Sequence, residues 1–326
     1  MSPSSNVSRR RFLRTVMSGA TYAGLAPFTG AFADTVLESG ASVRNAMADG
    51  RPSTTAHGAA VLRAAHQILD TPRVLNDPLA LRIISTASWA YLLSAPERYQ
   101  GSPSLRASVA LRSRYAEDQL AAAVARGVQQ YVVLGAGLDT FAYRNPHAPS
   151  VLRVFEVDHP ATQVWKRRRL AEAGIAIPGS MTFAPVDFET QTLAGGLSRA
   201  GFDAGKPAFF SLLGVVIYLS VPAVMGTLTF IQSLPAGSEI VFDYSVPSSQ
   251  LSEAQQQARA IAAQRVAERG EPWITYFNPP VLQQNLQQLG FSHVHDLGPQ
   301  EANERYFRER EDLLRLSNSR LMLARV

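Results

Sequence analysis

The 326 residues carry 46% hydrophobic and 17% charged side chains, a balance that can bury a large core and excludes a disordered, solvated chain. The chain has no cysteine, which excludes disulfides, zinc–thiolate sites and thiol nucleophiles. The formal charge of +5 is gathered at one end: Arg9, Arg10, Arg11 and Arg14 lie in residues 1–33 with no acid, and without them the 31 basic residues fall to 27 against 26 acids, so the body offers no broad basic surface to nucleic acid.

In chain order, Ser8-Arg9-Arg10-Arg11-Phe12-Leu13-Arg14 resembles a bacterial twin-arginine export signal. A mildly apolar segment over 15–28 follows, and Ala31-Phe32-Ala33 offers small residues at the two positions a signal peptidase reads. This order predicts that residues 1–33 are a leader and the protein is exported; the alternative is a disordered or amphipathic tail on a cytoplasmic protein. Residues 34–55, rich in Ser, Ala, Gly and Thr, read as a linker. From 56 to 127 the pattern is helical, with Ala59, Leu62, Ala65, Ile68 and Leu69 at helical spacing. Asn76-Asp77-Pro78 reads as a helix start, and 105–126 as a helix ended by Gly127.

The period then changes. Short β-branched runs predict strands at 130–134, 152–157, 181–186, 208–212 and 238–244, with helices at 162–173, 193–200 and 222–233 between them. Such alternation builds a parallel sheet. Two further strands, 291–297 and 320–326, flank the polar segment 298–318, which is too long for a tight hairpin. The expected fold is therefore α/β and Rossmann-like: a seven-stranded, mostly parallel sheet with helices on both faces. It carries a helical N-terminal extension (56–127) and an insertion (247–280), which together form a lid. The insertion contains a Gln- and Ala-rich helix at 251–269, then Trp273, Tyr276 and Phe277. Lys166-Arg167-Arg168-Arg169 reads as the solvated face of a helix. The six histidines show no metal-ligand spacing, and no run of eighteen apolar residues in the body predicts a membrane span.

Ligands of open α/β sheets bind beyond the carboxyl ends of the strands, where strand order reverses. Here that point is the first strand-to-helix turn, Gly135-Ala136-Gly137-Leu138-Asp139-Thr140, whose glycines let backbone approach a ligand. A dinucleotide site asks for Gly-x-Gly-x-x-Gly, and the third position is Thr140. Asp139 at a helix start opposes a pyrophosphate but suits the sulfonium and ammonium of S-adenosylmethionine; it could also simply cap the helix. The loop thus favours S-adenosylmethionine over NAD. At the end of the second strand Asp158 offers two acceptors to ribose hydroxyls. At the end of the third, Asp187 and the backbone of Phe188 are placed for adenine.

As an ordered set, these segments resemble the leucine carboxyl methyltransferase-like family of S-adenosylmethionine-dependent methyltransferases. The carriers are Leu134 to Thr140, Phe155-Glu156-Val157-Asp158-His159-Pro160, Val186-Asp187-Phe188, Leu213-Gly214-Val215-Val216-Ile217-Tyr218-Leu219 and, upstream, Leu111-Arg112-Ser113-Arg114-Tyr115-Ala116-Glu117-Asp118. The resemblance spans about 55–326 and implies a class I methyltransferase fold. It implies a cofactor site of Gly135, Ala136, Gly137 and Asp139, with Asp158 (or, second, Glu156) on the ribose and Asp187 and Phe188 at the adenine. Either Arg112 or Arg114 pairs with the methionine carboxylate, or forms an ion pair with Glu117 or Asp118 on its own helix. Three positions depart from the family: Leu213 stands for Glu, Phe188 for Leu, and Phe141 for Arg.

The implied reaction is O-methylation of a carboxyl group or a small-molecule hydroxyl, with Tyr218, Trp273, Tyr276 and Phe277 as the acceptor pocket or as packing within the lid. No metal and no nucleic-acid partner are expected. The alternatives are a non-catalytic binding protein that keeps the fold, which Leu213 and an exported location without cofactor supply would fit, and an NAD-type oxidoreductase, disfavoured by Thr140 and Asp139.

Overall fold

The computed structural model describes residues 53–94, 96, 103–187 and 191–326. The leader reading, most of the linker and Phe188 therefore lie outside the described residues.

The seven strands are β1 (Gln130–Leu134), β2 (Arg153–Asp158), β3 (Met181–Pro185), β4 (Phe209–Leu212), β5 (Glu239–Ser245), β6 (His293–Leu297) and β7 (Ser319–Arg325). They form one sheet in the order β3-β2-β1-β4-β5-β7-β6. All pairings from β3 to β5 are parallel, and β7 runs antiparallel to both β5 and β6. Strand order reverses between β1 and β4, so the loops after these two strands face each other across the switch point.

Side-chain alternation divides the core into two layers. Tyr131, Val133, Phe209 and Val241 face one way and pack with Leu111, Tyr115 and Leu120 of the long helix α4 (Pro103–Ala125). Val132, Leu134, Phe210 and Phe242 face the other way, against α6 (Leu193–Arg199), α7 (Val221–Gln232) and α9 (Pro279–Leu289). A third cluster joins the N-terminal helices α1 (Thr54–Leu69), α2 (Ala80–Ile83) and α3 (Thr86–Ser94) to Leu138 and to Leu170 of α5 (Pro160–Glu172). The helical extension thus packs on the loop that follows β1. Among the described residues no helix is long and apolar enough to cross a membrane.

Four expectations change. First, α1 begins at Thr54 with Ser53 as its cap, inside the segment read as linker. Second, Asp77 does not start a helix at once; its carboxylate accepts from Leu79 N, and α2 begins only at Ala80. Third, the basic run is no single solvated face. Lys166 is buried against Glu156 at 2.7 Å, Arg169 donates to the carbonyls of Ile83 and Ile84, and Arg167 lies over the Phe183 ring. Four consecutive residues point all round an α-helix, so a run of bases cannot share one face. Fourth, no α-helix follows β1. The chain makes a short 3-10 turn over Phe141–Tyr143 before Asn145-Pro146, where proline disfavours helix at the preceding residue.

Candidate functional site

The loops after β1 and β4 open into a single cavity of about 1230 Å³. Its floor is Gly135 to Asp139 and its walls include Arg112, Asp158, Asp187, Leu213 and Asp243. Its cover comes from α1, the start of α4 and the insertion helix α8 (Glu253–Ala267), together with Tyr218 and Trp273.

The floor is shaped by backbone. Gly135 sits at φ +66°, and a Cβ there would come within 2.6 Å of a Val215 methyl. Its N–H and that of Ala136 donate to Val157 O on β2, at 2.9 and 3.2 Å. Asp158, buried at the end of β2, receives Gly137 N on one carboxylate oxygen at 2.6 Å and His159 N on the other at 2.7 Å. A carboxylate has about four acceptor positions, so two remain toward the cavity. Burial pushes the Asp158 carboxyl up, against the lowering effect of these two amides. Asp139 accepts from Phe141 N at 2.8 Å and also faces the cavity. Asp139 therefore closes a local turn into the 3-10 segment, with no α-helix there for it to cap, and it also lies on the cavity wall.

Arg112 and Arg114, left open by the sequence, are separated by the structure. Arg112 points into the cavity; its guanidinium is 3.5 Å from Asp243 and lies where a Cβ on Gly214 would stand, at 2.6 Å. Arg114 is half exposed on the opposite side of the helix, bound to Asp118 and to Val74 O. Glu156 leaves the site as well: it is fully buried under the sheet between Lys166 and Tyr143. Asp187 lines the cavity as expected.

Of the aromatic candidates, Tyr218 and Trp273 line the cavity, whereas Tyr276 stacks under Arg259 and Phe277 is buried in the core. The insertion is fixed to the β4 loop because Ile274 N and Thr275 N both donate to Ile217 O. The Trp273 indole N–H is buried without a hydrogen-bond partner. Leu213 also faces the cavity, so no carboxylate acts from that position. Phe141 stacks edge-on against Tyr131 at 5.2 Å in the core.

Two fasteners were not legible in the sequence. The insertion's Glu271, fully buried, accepts from the backbone N–H groups of Thr54 and Thr55 at the start of α1, each at 3.2 Å. The two parts of the cover are thereby tied together. Below, Arg63 of α1 donates to Leu138 O at 2.6 Å and to Asp77 at 2.8 Å, and Thr140 donates to Asp77 at 2.6 Å. Arg144 joins Asp77 at 3.3 Å and Glu117. Asp77 thus clamps the far end of the glycine loop.

This arrangement explains why Thr140 replaces a third glycine: its hydroxyl is committed to Asp77, and it is completely buried. With only a 3-10 turn after the loop, the helix N-terminus that binds a pyrophosphate in dinucleotide folds has no counterpart here. The lining fits an adenosyl amino acid instead: its carboxylates would suit hydroxyl and ammonium groups, and the guanidinium of Arg112 would suit a carboxylate. Among the described residues no cluster could hold a metal ion.

The family model for leucine carboxyl methyltransferase matches residues 56–232. YktD of Bacillus subtilis, named as an S-adenosyl-L-methionine-dependent methyltransferase, is 32% identical over 285 residues, covering 80% of this chain and 93% of that protein. A Mycolicibacterium paratuberculosis protein of the same name class is 31% identical over 61% of this chain and 67% of its own. A solved chain from Thermobifida fusca, named as a methyltransferase, aligns over 85% of this chain and 95% of its own with a TM-score of 0.48 and 17% identity. The chain belongs to the leucine carboxyl methyltransferase family and is an S-adenosylmethionine-dependent methyltransferase.

Proposed function

We propose that the protein transfers a methyl group to an oxygen of a small acceptor, a carboxylate or a hydroxyl, held under the cover beside Tyr218 and Trp273. The observation that carries this reading is one cavity joining the glycine loop to the aromatic wall of the insertion. Its volume exceeds the roughly 300–1,000 Å³ of an ordinary ligand pocket, leaving room for a cofactor and a second molecule.

Gly135, Ala136 and Gly137 would carry the methionine part, with Arg112 on its carboxylate and Asp139 near its ammonium. Asp158 would take the ribose hydroxyls, and Asp187 the adenine edge. When bound, the cofactor supplies a methyl group on a positive sulfur: a carbon–oxygen bond to the acceptor forms as the carbon–sulfur bond breaks, and sulfur keeps the electron pair. The chain's own contribution is to hold the acceptor oxygen in line and to exclude water, which can provide most of the acceleration. A carboxylate acceptor needs no base; a hydroxyl must lose its proton. The lid reading is supported by Glu271, which locks the insertion to α1 across the cavity mouth. The N-terminal arginine pattern supports export of the folded protein, checked by sequencing the N-terminus of periplasmic and cytoplasmic material.

The test is transfer of radiolabelled methyl from S-adenosylmethionine to panels of carboxylic acids, phenols and cell extracts. Label released as methanol by mild base identifies an ester, and base-stable label an ether. No label transfer by folded protein that binds the cofactor would leave a binding protein, not an enzyme.

A further inference from the structure

On the acceptor side of the cavity the wall contributed by the insertion holds Gln255, Arg259, Arg269 and Trp273 and no carboxylate. The acids that line the cavity, Asp139, Asp158, Asp187 and Asp243, all belong to the sheet side. Arg259 is only partly exposed. One of its guanidinium nitrogens donates to Val246 O at 2.5 Å, and its plane lies over the Tyr276 ring with 5.0 Å to the centroid. It has no ion-pair partner among the described residues. Burial lowers its pKa, and only Tyr276 acts the other way. Withdrawing a cation from water without a counter-charge is costly, and the remaining N–H groups of the guanidinium fork stay unused.

This guanidinium is separate from the one that serves the cofactor. Arg112 is anchored at Asp243, and Arg259 at Val246, three residues farther along the same chain segment, which is on the order of 10 Å in extended backbone. The two positive groups are therefore anchored at different points of the cavity wall.

We propose that Arg259 forms an anion-binding subsite that anchors a carboxylate or phosphate group of the methyl acceptor. The inference rests on the methyltransferase reading above. A planar fork resting on an aromatic ring is preorganised for a two-oxygen anion. Arg269 is exposed at the rim and adds attraction for the same charge. An oxygen held by several N–H donors is a poor nucleophile, so this group positions the acceptor while another oxygen receives the methyl.

The test uses the full chain saturated with adenosylhomocysteine and titrated calorimetrically with benzoate, phenylacetate and 3-phenylpropionate, with their neutral amides, and with phenyl phosphate. At least one anion is expected to bind threefold or more tightly than its neutral partner, and whether carboxylates or phenyl phosphate bind better names the source. Arg259→Gln should abolish that preference, and Arg259→Lys should retain part of it. Adenosylhomocysteine affinity should stay within twofold of wild type in each variant. Less than threefold preference throughout the wild-type series, including no binding by any probe, overturns the proposal, as does a preference that survives Arg259→Gln. Failure of adenosylhomocysteine to bind while the anion preference persists would instead overturn the cofactor reading.

Discussion

Replacing Asp77 tests whether the helical extension holds the cofactor loop in place. Its carboxylate is buried and receives Arg63 at 2.8 Å and Thr140 at 2.6 Å, with Arg144 at 3.3 Å. Asp77→Ala removes the counter-charge of Arg63, itself buried. Breaking a buried pair by deleting one partner costs about 3–5 kcal/mol. Arg63 keeps Leu138 O and Arg144 keeps Glu117, which places the expected loss at the lower end, about 3 kcal/mol. Asp77→Asn retains an acceptor for one of the donors and should cost about 1–2 kcal/mol. Burial raises the Asp77 carboxyl, but Arg63 and Arg144 outweigh it, so the folded-state pKa lies below the ordinary value. A depressed carboxyl contributes stability that is complete above the unfolded pKa and disappears as pH falls through the folded one. The deficit of Asp77→Asn should therefore be constant above about pH 5 and shrink below about pH 4, near the unfolded value. Urea unfolding followed by tryptophan fluorescence at several pH values measures both quantities. A loss under 0.5 kcal/mol for Asp77→Ala, roughly the size of an ordinary surface substitution, or an Asp77→Asn deficit unchanged on acidification would refute the clamp.

Asp158→Ala should raise the adenosylhomocysteine Kd by about 100-fold, from two charge-assisted hydrogen bonds at about 1.5 kcal/mol each; unchanged affinity in calorimetry would remove the ribose assignment. Arg112→Lys should weaken adenosylhomocysteine but leave 5′-methylthioadenosine, which lacks the carboxylate, as in wild type, and equal weakening of both would contradict the pairing. Gly135→Ala meets both a positive φ and the Val215 methyl, so thermal unfolding should show a loss of about 1–3 kcal/mol together with impaired cofactor binding. Lys166→Met strands Glu156, whose carboxyl burial already holds up at about 7 against the pull of Lys166. Because losing Lys166 raises the folded-state Glu156 carboxyl above its wild-type position, the variant's deficit should narrow as pH falls toward about 7 and then level off, where Glu156 is protonated in both folded proteins, as read by urea unfolding.

The strands were readable because most are short apolar runs between turn residues; β1 falls where the pattern places it, and β2 to β7 shift by one or two residues. The glycine loop, Asp158 and Asp187 were readable because their place at strand ends fixes their direction. Two helices were missed. In α9 the helical period is present, with Leu282, Leu286 and Leu289 at i, i+4 and i+7, but the glutamines between them read as a polar connection, and α10 (Pro299–Tyr306) is short and buries only Ala302. The helix predicted after the glycine loop failed because Asp139, Tyr143 and Arg144 are captured by partners distant in sequence or by the turn itself. Choosing Arg112 over Arg114 was beyond sequence reasoning, since two residues apart on a helix they point about 200° apart and only the packing of α4 says which face meets the cavity. The Asp77 clamp and the Glu271 tie join residues 63 and 217 positions apart respectively from Thr140 and Thr54, and no local pattern announces such pairs.

The central claim is that the Gly135–Asp139 loop with Asp158 and Arg112 holds an adenosyl amino acid and not a dinucleotide. Titration calorimetry of the full chain with S-adenosylmethionine, adenosylhomocysteine and NAD tests it directly. Saturable binding of both adenosyl compounds at one per chain, with NAD giving no heat at the same concentrations, is the predicted result. Folded protein that binds neither adenosyl compound, or that binds NAD in preference to them, would contradict it.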